Sequence, residues 1–313
     1  MSAKPDLLIL GQVTIDDVVP PAPGPWRRQL GGSSLYTVAG ARLWLEPARI
    51  GVVTRVGNDF PFDVASLLRA AGVEHIVLQA VPEEHLIEWL IYEPDGSRRS
   101  LPRNAGMLEV GAEGATTMPQ ASQAYEDKLL AIAPTAADIP AEWLPAAALH
   151  LCTQVGDRHR QTIDALKGRV GWISVDPSPH YSREATIEDL GQRLRGATAF
   201  LPSTNEVRRL LAEGDPEAVA LRLQRAGFDE VALKRGPEPV LVAYHCEINT
   251  IPTALATVVD PTGAGDSFCG AYAACRLQGM TPIEAARCAT ATAALVVGSS
   301  GVEAALQLRR PVL

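Results

Sequence analysis

Lysine is scarce in this 313-residue chain, which has only Lys4, Lys128, Lys167 and Lys234. None stands in a G-x-x-x-x-G-K-[ST] run, so a P-loop is excluded, and the loops of the eukaryotic protein kinases are also missing. The cysteines, Cys152, Cys246, Cys269, Cys275 and Cys288, are odd in number and show no C-x-x-C spacing. That argues against a disulfide framework or a zinc site and for reduced thiols. The six histidines show no i, i+4 pair, so no helix presents a metal-binding face. His150 and Cys152 alternate in an apolar run and read as a strand entering a core or a site. No basic block relieves the net charge of −8, which argues against nucleic acid or a membrane surface as partner. Arg27-Arg28, Arg98-Arg99 and Arg208-Arg209 read as isolated, solvated pairs. No apolar run reaches transmembrane length, and Asp16-Asp17 interrupts the N-terminal apolar stretch too soon for a signal peptide, so a cytoplasmic protein is expected.

What is present is a core-forming composition, 47% hydrophobic and 20% charged. Short, continuously apolar strands are predicted at 7–11, 50–53, 148–152, 171–175, 199–201, 231–233 and 240–242. Helical patterns at 34–44, 62–71, 158–167, 205–212 and 216–226 separate most of them. The alternation predicts a doubly wound, mostly parallel α/β sheet with helices on both faces, in one domain spanning 1–313. Thr281-Pro282-Ile283-Glu284 reads as the capped start of a late helix. Two early insertions, about 20–30 and 85–103, break the rhythm. The second carries the hairpin turn Glu93-Pro94-Asp95-Gly96. Together they predict a small antiparallel β lid.

The chemistry is concentrated in Asp260-Pro261-Thr262-Gly263-Ala264-Gly265-Asp266. The β-branched stretch 256–259 before it reads as a strand, and 267–275 after it reads as a helix. A glycine-rich turn opening a helix offers backbone N–H groups and a positive dipole end to an anion. A carboxylate at such a turn would repel a phosphate, unless it serves as the general base that deprotonates an attacking hydroxyl.

This run resembles the C-terminal signature of the ribokinase-like sugar kinases, the PfkB family. Gly31-Gly32-Ser33-Ser34-Leu35-Tyr36 and Arg55-Val56-Gly57-Asn58-Asp59-Phe60 resemble its N-terminal signature, and the resemblance extends from about Leu7 to Gly301. It implies a ribokinase-like fold and ATP-dependent phosphorylation of a primary hydroxyl on a neutral sugar or sugar-like molecule. A nucleoside kinase of the same fold, with Tyr36 and Trp26 stacking on a base, is the alternative within enzymes. A non-catalytic sugar or nucleotide sensor is the alternative outside them. Under this resemblance Asp266 is the base, and Gly263, Ala264 and Gly265 form the anion hole. Thr262, Asn205, Lys234 and Gly236 face the nucleotide. Asp16, Gly31, Gly32, Tyr36, Arg103 and Gln154 face the acceptor, with Asp17 as an exposed competitor of Asp16. Asp260 matches the first signature aspartate, with a structural strand-end role as its alternative. Magnesium arrives with ATP and needs no direct protein ligand, and a monovalent cation is also implied. Separately, Trp26, Leu86, Trp89 and Ile91 give the lid more apolar surface than a small projecting sheet leaves exposed, which predicts a homodimer through the lid. The chain departs from the family pattern at Tyr36 (usually asparagine), at Arg208 (the glutamate of N-x-x-E) and at Pro239 (a second glycine after Gly236).

Overall fold

A computed structural model describes residues 4–19, 27–92, 98–102 and 123–311. The strands are β1 (Leu7–Leu10), β2 (Thr14–Val19), β3 (Arg27–Gly31), β4 (Ile50–Val56), β5 (His75–Ala80), β6 (Ile87–Tyr92), β7 (Arg98–Pro102), β8 (Ala146–Leu151), β9 (Val170–Val175), β10 (Ala199–Phe200), β11 (Glu230–Arg235), β12 (Glu238–Tyr244) and β13 (Glu247–Ile251). Nine of them form the central sheet in the order β13-β12-β11-β10-β9-β8-β1-β4-β5. Every pairing from β5 to β11 is parallel; β12 and β13 add an antiparallel edge.

The middle of the sheet is buried on both faces, which is why its central strands are mostly apolar. In β1, Leu7 and Ile9 enter one core and Leu8 and Leu10 the other, because successive strand residues point to opposite faces. The first core packs under helices Ser33–Ala41, Ala264–Leu277 and Pro282–Val297; the second packs under Ile187–Arg193 and Pro216–Arg225. Chain direction across the sheet reverses beside β1, which has β4 on one side and β8 on the other. Such a switch point leaves a crevice at the strands' carboxyl ends, the usual ligand position in sheets of this kind.

The small sheet has the order β3-β2-β6-β7. Its two outer pairs are antiparallel as expected, and a central parallel pairing of β2 with β6 joins them. The reading of 20–30 and 85–103 thus finds β3, β6 and β7 but misses β2, which carries Asp16 and Asp17. The proline-rich stretch, Trp26, the turn 93–96 and Arg103 lie outside the described residues. Leu86, Leu90 and Ile91 are buried within the chain itself, so they supply none of the exposed apolar surface that suggested a dimer.

Two further expectations fail, and two edge strands escape the sequence reading. Residues 252–259 form no strand: after β13 the chain leaves the sheet, and Leu255, Val258 and Val259 are exposed. Their β-branched character had no neighbouring strand to pair with, and pairing, not propensity, makes a strand. β5 and β13, at the two sheet edges, are only partly buried and too polar to read as core strands. Asn205 caps no helix; the helix there is Arg208–Ala212, with Val207 at its N-cap. The capping box at Thr281 and Glu284 is present as read.

Candidate active site

The signature turn lies where helix Ala264–Leu277 begins. Gly263 is its N-cap, in the left-handed region at φ 76°, which a side chain would strain. Asp266 is in the first turn, at the positive end of the helix dipole. Ahead of the turn, Asp260 is buried, and its Oδ1 accepts the Thr262 N–H at 2.9 Å. Its Oδ2 is buried without a hydrogen-bond partner. A lone carboxylate oxygen in that position suits a cation.

Two close approaches fix this helix against Ser33–Ala41. A Cβ on Gly270 would lie 1.8 Å from the Thr37 carbonyl oxygen, and one on Gly40 would lie 2.0 Å from that of Ser267. Only glycine permits such contact. The result brings Tyr36 over the turn, where its ring carbons lie 2.1 Å from the position of a Cβ on Gly263. Tyr36, a departure in the acceptor signature, is therefore packed on the anion-binding turn.

Beneath the turn lies a buried charged cluster. Lys234 Nζ donates to Asp176 Oδ1 at 2.8 Å and to Cys269 Sγ at 3.3 Å, and it is 3.4 Å from where a Cβ on Gly265 would be. Burial is the largest influence and would lower the lysine's pKa, but Asp176, Cys269 and Glu206 together outweigh it and keep the ammonium well above its usual range. Lys234, expected to face the nucleotide, is a buried counter-ion directly under the glycines. Glu206 faces the same cluster. Its Oε2 accepts the Ser203 N–H at 2.5 Å, and burial together with the charge of Asp176 pushes its pKa up to about 7. Asn205 and Arg208 are exposed; Arg208 reaches only Glu184, at 3.9 Å. Gly236 sits at the turn between β11 and β12, where a Cβ would meet nothing within 4 Å.

Asp16, Gly31 and Gly32, expected to face the acceptor, lie on β2, β3 and the turn after it. Asp16 is buried, and its Oδ1 accepts from Thr14 Oγ1 at 2.6 Å. Its Oδ2 lies 1.8 Å from where a Cβ on Gly31 would stand, so Gly31 makes room for this carboxylate. At Gly32 a Cβ would lie 2.5 Å from the Gln12 carbonyl oxygen and the Val13 Cα, and this glycine caps the helix Ser33–Ala41. Asp17 is not an exposed competitor: it is fully buried and held by Arg28 through two contacts of 2.7 Å. The alternation of β2 sends Asp16 and Asp17 to opposite faces, and the arginine neutralises the second. Arg28 is consequently a paired charge, although its side chain is still exposed. Gln154 is buried at the end of β8; its Nε2 donates to the Pro134 carbonyl at 3.3 Å, and its Oε1 has no partner.

Sequence reasoning missed Asp176 and Cys269. Asp176 had a signal: it is a carboxylate at the carboxyl end of an apolar strand, the place where ligand-facing groups of such sheets gather. Cys269 had none, since only the packing of helix against sheet sets its sulfur beside the lysine.

Residues 151–308 match the family described as pfkB family carbohydrate kinase. A cytidine kinase from Thermococcus kodakarensis is 27% identical over 277 residues, covering 86% of this chain and 87% of its own length. A 2-dehydro-3-deoxygluconokinase from Thermoproteus tenax is 29% identical over 151 residues, 48% of this chain and 44% of its own. The solved ribokinase of Giardia lamblia superposes with a TM-score of 0.70 at 17% identity, covering 98% of this chain and 97% of that one. The matched family segment holds the turn, the lysine and the buried carboxylates, while the relatives extend the likeness into the acceptor half. The chain belongs to the pfkB family of carbohydrate kinases, and its reaction is phosphoryl transfer.

Proposed function

We propose that this kinase transfers the terminal phosphoryl group of ATP to a primary hydroxyl of a neutral sugar or sugar-like molecule. The observation that carries the reading is the juxtaposition of Asp266 with the glycine turn at one helix N-terminus. ATP with its magnesium ion supplies the phosphoryl group and shields its charge when bound. The backbone N–H groups of Gly263 and Gly265 stabilise the negative charge that develops in transfer, whereas the Ala264 N–H, expected beside them, is donated to the Pro261 carbonyl at 3.3 Å. Asp266 accepts the proton of the attacking hydroxyl. Thr262 contacts phosphate from the segment before the helix, and Asp260 Oδ2 holds a cation beside it. Leu255, Val258 and Val259 leave an exposed apolar strip ahead of the turn for the flat ring of a nucleotide.

Asp16 orients the acceptor by accepting hydrogen bonds from neighbouring hydroxyls. With Asp17 neutralised by Arg28, the preference for an uncharged acceptor rests on Asp16. A nucleoside acceptor is the second reading, favoured by the cytidine kinase likeness over most of the chain. A homodimer through the small sheet is part of the proposal, and its outer strands β3 and β7 are where copies would pair; light scattering at micromolar concentration tests it.

The deciding experiment measures ADP release on a panel of sugars and nucleosides. Turnover on a neutral sugar supports the first reading and turnover on a nucleoside alone the second. Asp266→Asn should fold normally and lose roughly 10²–10⁴-fold in turnover. Near-normal turnover in that variant removes the base from Asp266.

A further inference from the structure

A groove of about 580 Å³ opens far from the turn, on the second-core face, between helix Ile187–Arg193 and the end of helix Pro216–Arg225. Its lining residues precede β10 and β11, so it is at the amino ends of the strands, whereas the catalytic cluster is at their carboxyl ends. The volume is within the range of sites for small organic ligands.

Its distinguishing feature is unbalanced charge. Arg195, Arg222 and Arg225 line it, and Glu188 is its single acidic group, which leaves two net positive charges in a chain whose net charge is −8. Among the described residues, nearby arginines are paired: Arg193 with Asp157, Arg160 with Asp164, Arg209 with Glu213. The three groove guanidiniums have neither a carboxylate nor a hydrogen-bond partner among the described residues. Arg222 and Arg225 are three positions apart on one helix and therefore side by side. A Cβ on Gly191 would lie 2.7 Å from the Ala226 carbonyl oxygen and 3.2 Å from the Ala226 Cβ, so the two helices meet closely here and leave a floor of small residues.

We propose that this groove binds a phosphate monoester, with the phosphate held by Arg222, Arg225 and Arg195 and the organic part on the floor at Gly191 and Ala226. Guanidinium forks match phosphate oxygens two at a time. A monoester carries about two negative charges at neutral pH, the net charge of the lining with opposite sign. A phosphate ester is also the class of product that a kinase releases, so the groove is placed to report product level to the enzyme from outside its active site.

The test is calorimetric titration of the full chain, without nucleotide, with ribose 5-phosphate, inorganic phosphate and ribose, at about 0.15 M ionic strength to screen diffuse attraction. The expected result is saturable binding of ribose 5-phosphate, weaker binding of phosphate and none of ribose. Arg222→Glu with Arg225→Glu should weaken it by about tenfold or more, since two charge-assisted contacts are reversed. Arg195→Gln, a milder change, should weaken it less, and Asp16→Ala should leave it intact. Phosphate binding as tightly as the ester means that the groove takes the free ion and overturns the ester. Absence of binding, or equal affinity in the charge-reversed protein, overturns the site and leaves the arginines as complements of the helix dipole. Because the readout is binding, the groove stands or falls independently of the catalytic assignment.

Discussion

Substituting Gly31 by alanine should damage acceptor use through a residue that is not itself changed. A Cβ there would stand 1.8 Å from Asp16 Oδ2 and 2.4 Å from its Cγ, where real contacts do not fall below 3.0 Å. The carboxylate must therefore move by at least the difference between 3.0 and 1.8 Å, or 1.2 Å. Thr14 Oγ1, bonded to Oδ1 at 2.6 Å, and the pairing of β2 with β3 resist that movement. A displacement of about 1 Å in a positioning group can cost roughly 10²-fold. Removing the carboxylate outright leaves acceptor hydroxyls unpaired at about 1–3 kcal/mol, or roughly 5–150-fold. Gly31→Ala and Asp16→Ala should thus each lower kcat/KM for the acceptor by about one to two orders of magnitude. KM for ATP should change little in either. The assay is initial-rate kinetics with each substrate varied in turn, on the two single variants and the double. Since both act through one carboxylate, the double variant should be no worse than Asp16→Ala alone. Additive losses would show that Gly31 matters for another reason. An unchanged acceptor KM in both single variants would remove Asp16 from the acceptor site.

Lys234→Met should cost about 3–5 kcal/mol in urea denaturation, because it leaves Asp176 buried without its counter-ion, and adding Asp176→Asn should recover part of the loss; no loss would mean the pair is solvated in solution. Burial lowers the pKa of His85 and His159 to about 4 and that of His150 to about 3, so all three are neutral in the folded chain. Their contribution is fully present above the unfolded value of about 6.5 and is lost as pH falls from there through about 4. Glu206, raised to about 7, acts in the opposite sense, losing its contribution as pH rises from about 4.5. Three imidazoles outweigh one carboxyl, so the urea midpoint should fall as pH is lowered from 6.5 to 4.5; a flat profile would refute the burial of the imidazoles. Gly263→Ala should be destabilising, and Tyr36→Ala should relieve part of that cost by removing the ring contact while leaving the left-handed strain.

Local rules were enough for the doubly wound sheet and for the glycine turn that opens a helix. A parallel strand covered on both faces must be apolar throughout, so β1, β4, β8 and β11 are legible as runs. A helix entered through Gly263-Ala264-Gly265-Asp266 announces an anion site because N–H groups, dipole and carboxylate are consecutive in the chain. What only the tertiary structure decided depends on neighbours distant in sequence. Asp17 looked exposed until Arg28, eleven residues away on the paired strand, was found bonded to it. Residues 256–259 looked like a strand but had no strand beside them. Lys234 looked like a ligand contact, yet Asp176 and Cys269, 58 and 35 residues away, draw it beneath the turn. Tyr36 came to lie on Gly263 only because Gly40 and Gly270 let two helices approach. Burial and pairing are sums over the folded neighbourhood, and a buried charge is fixed by the partner that compensates it, which its own segment does not contain.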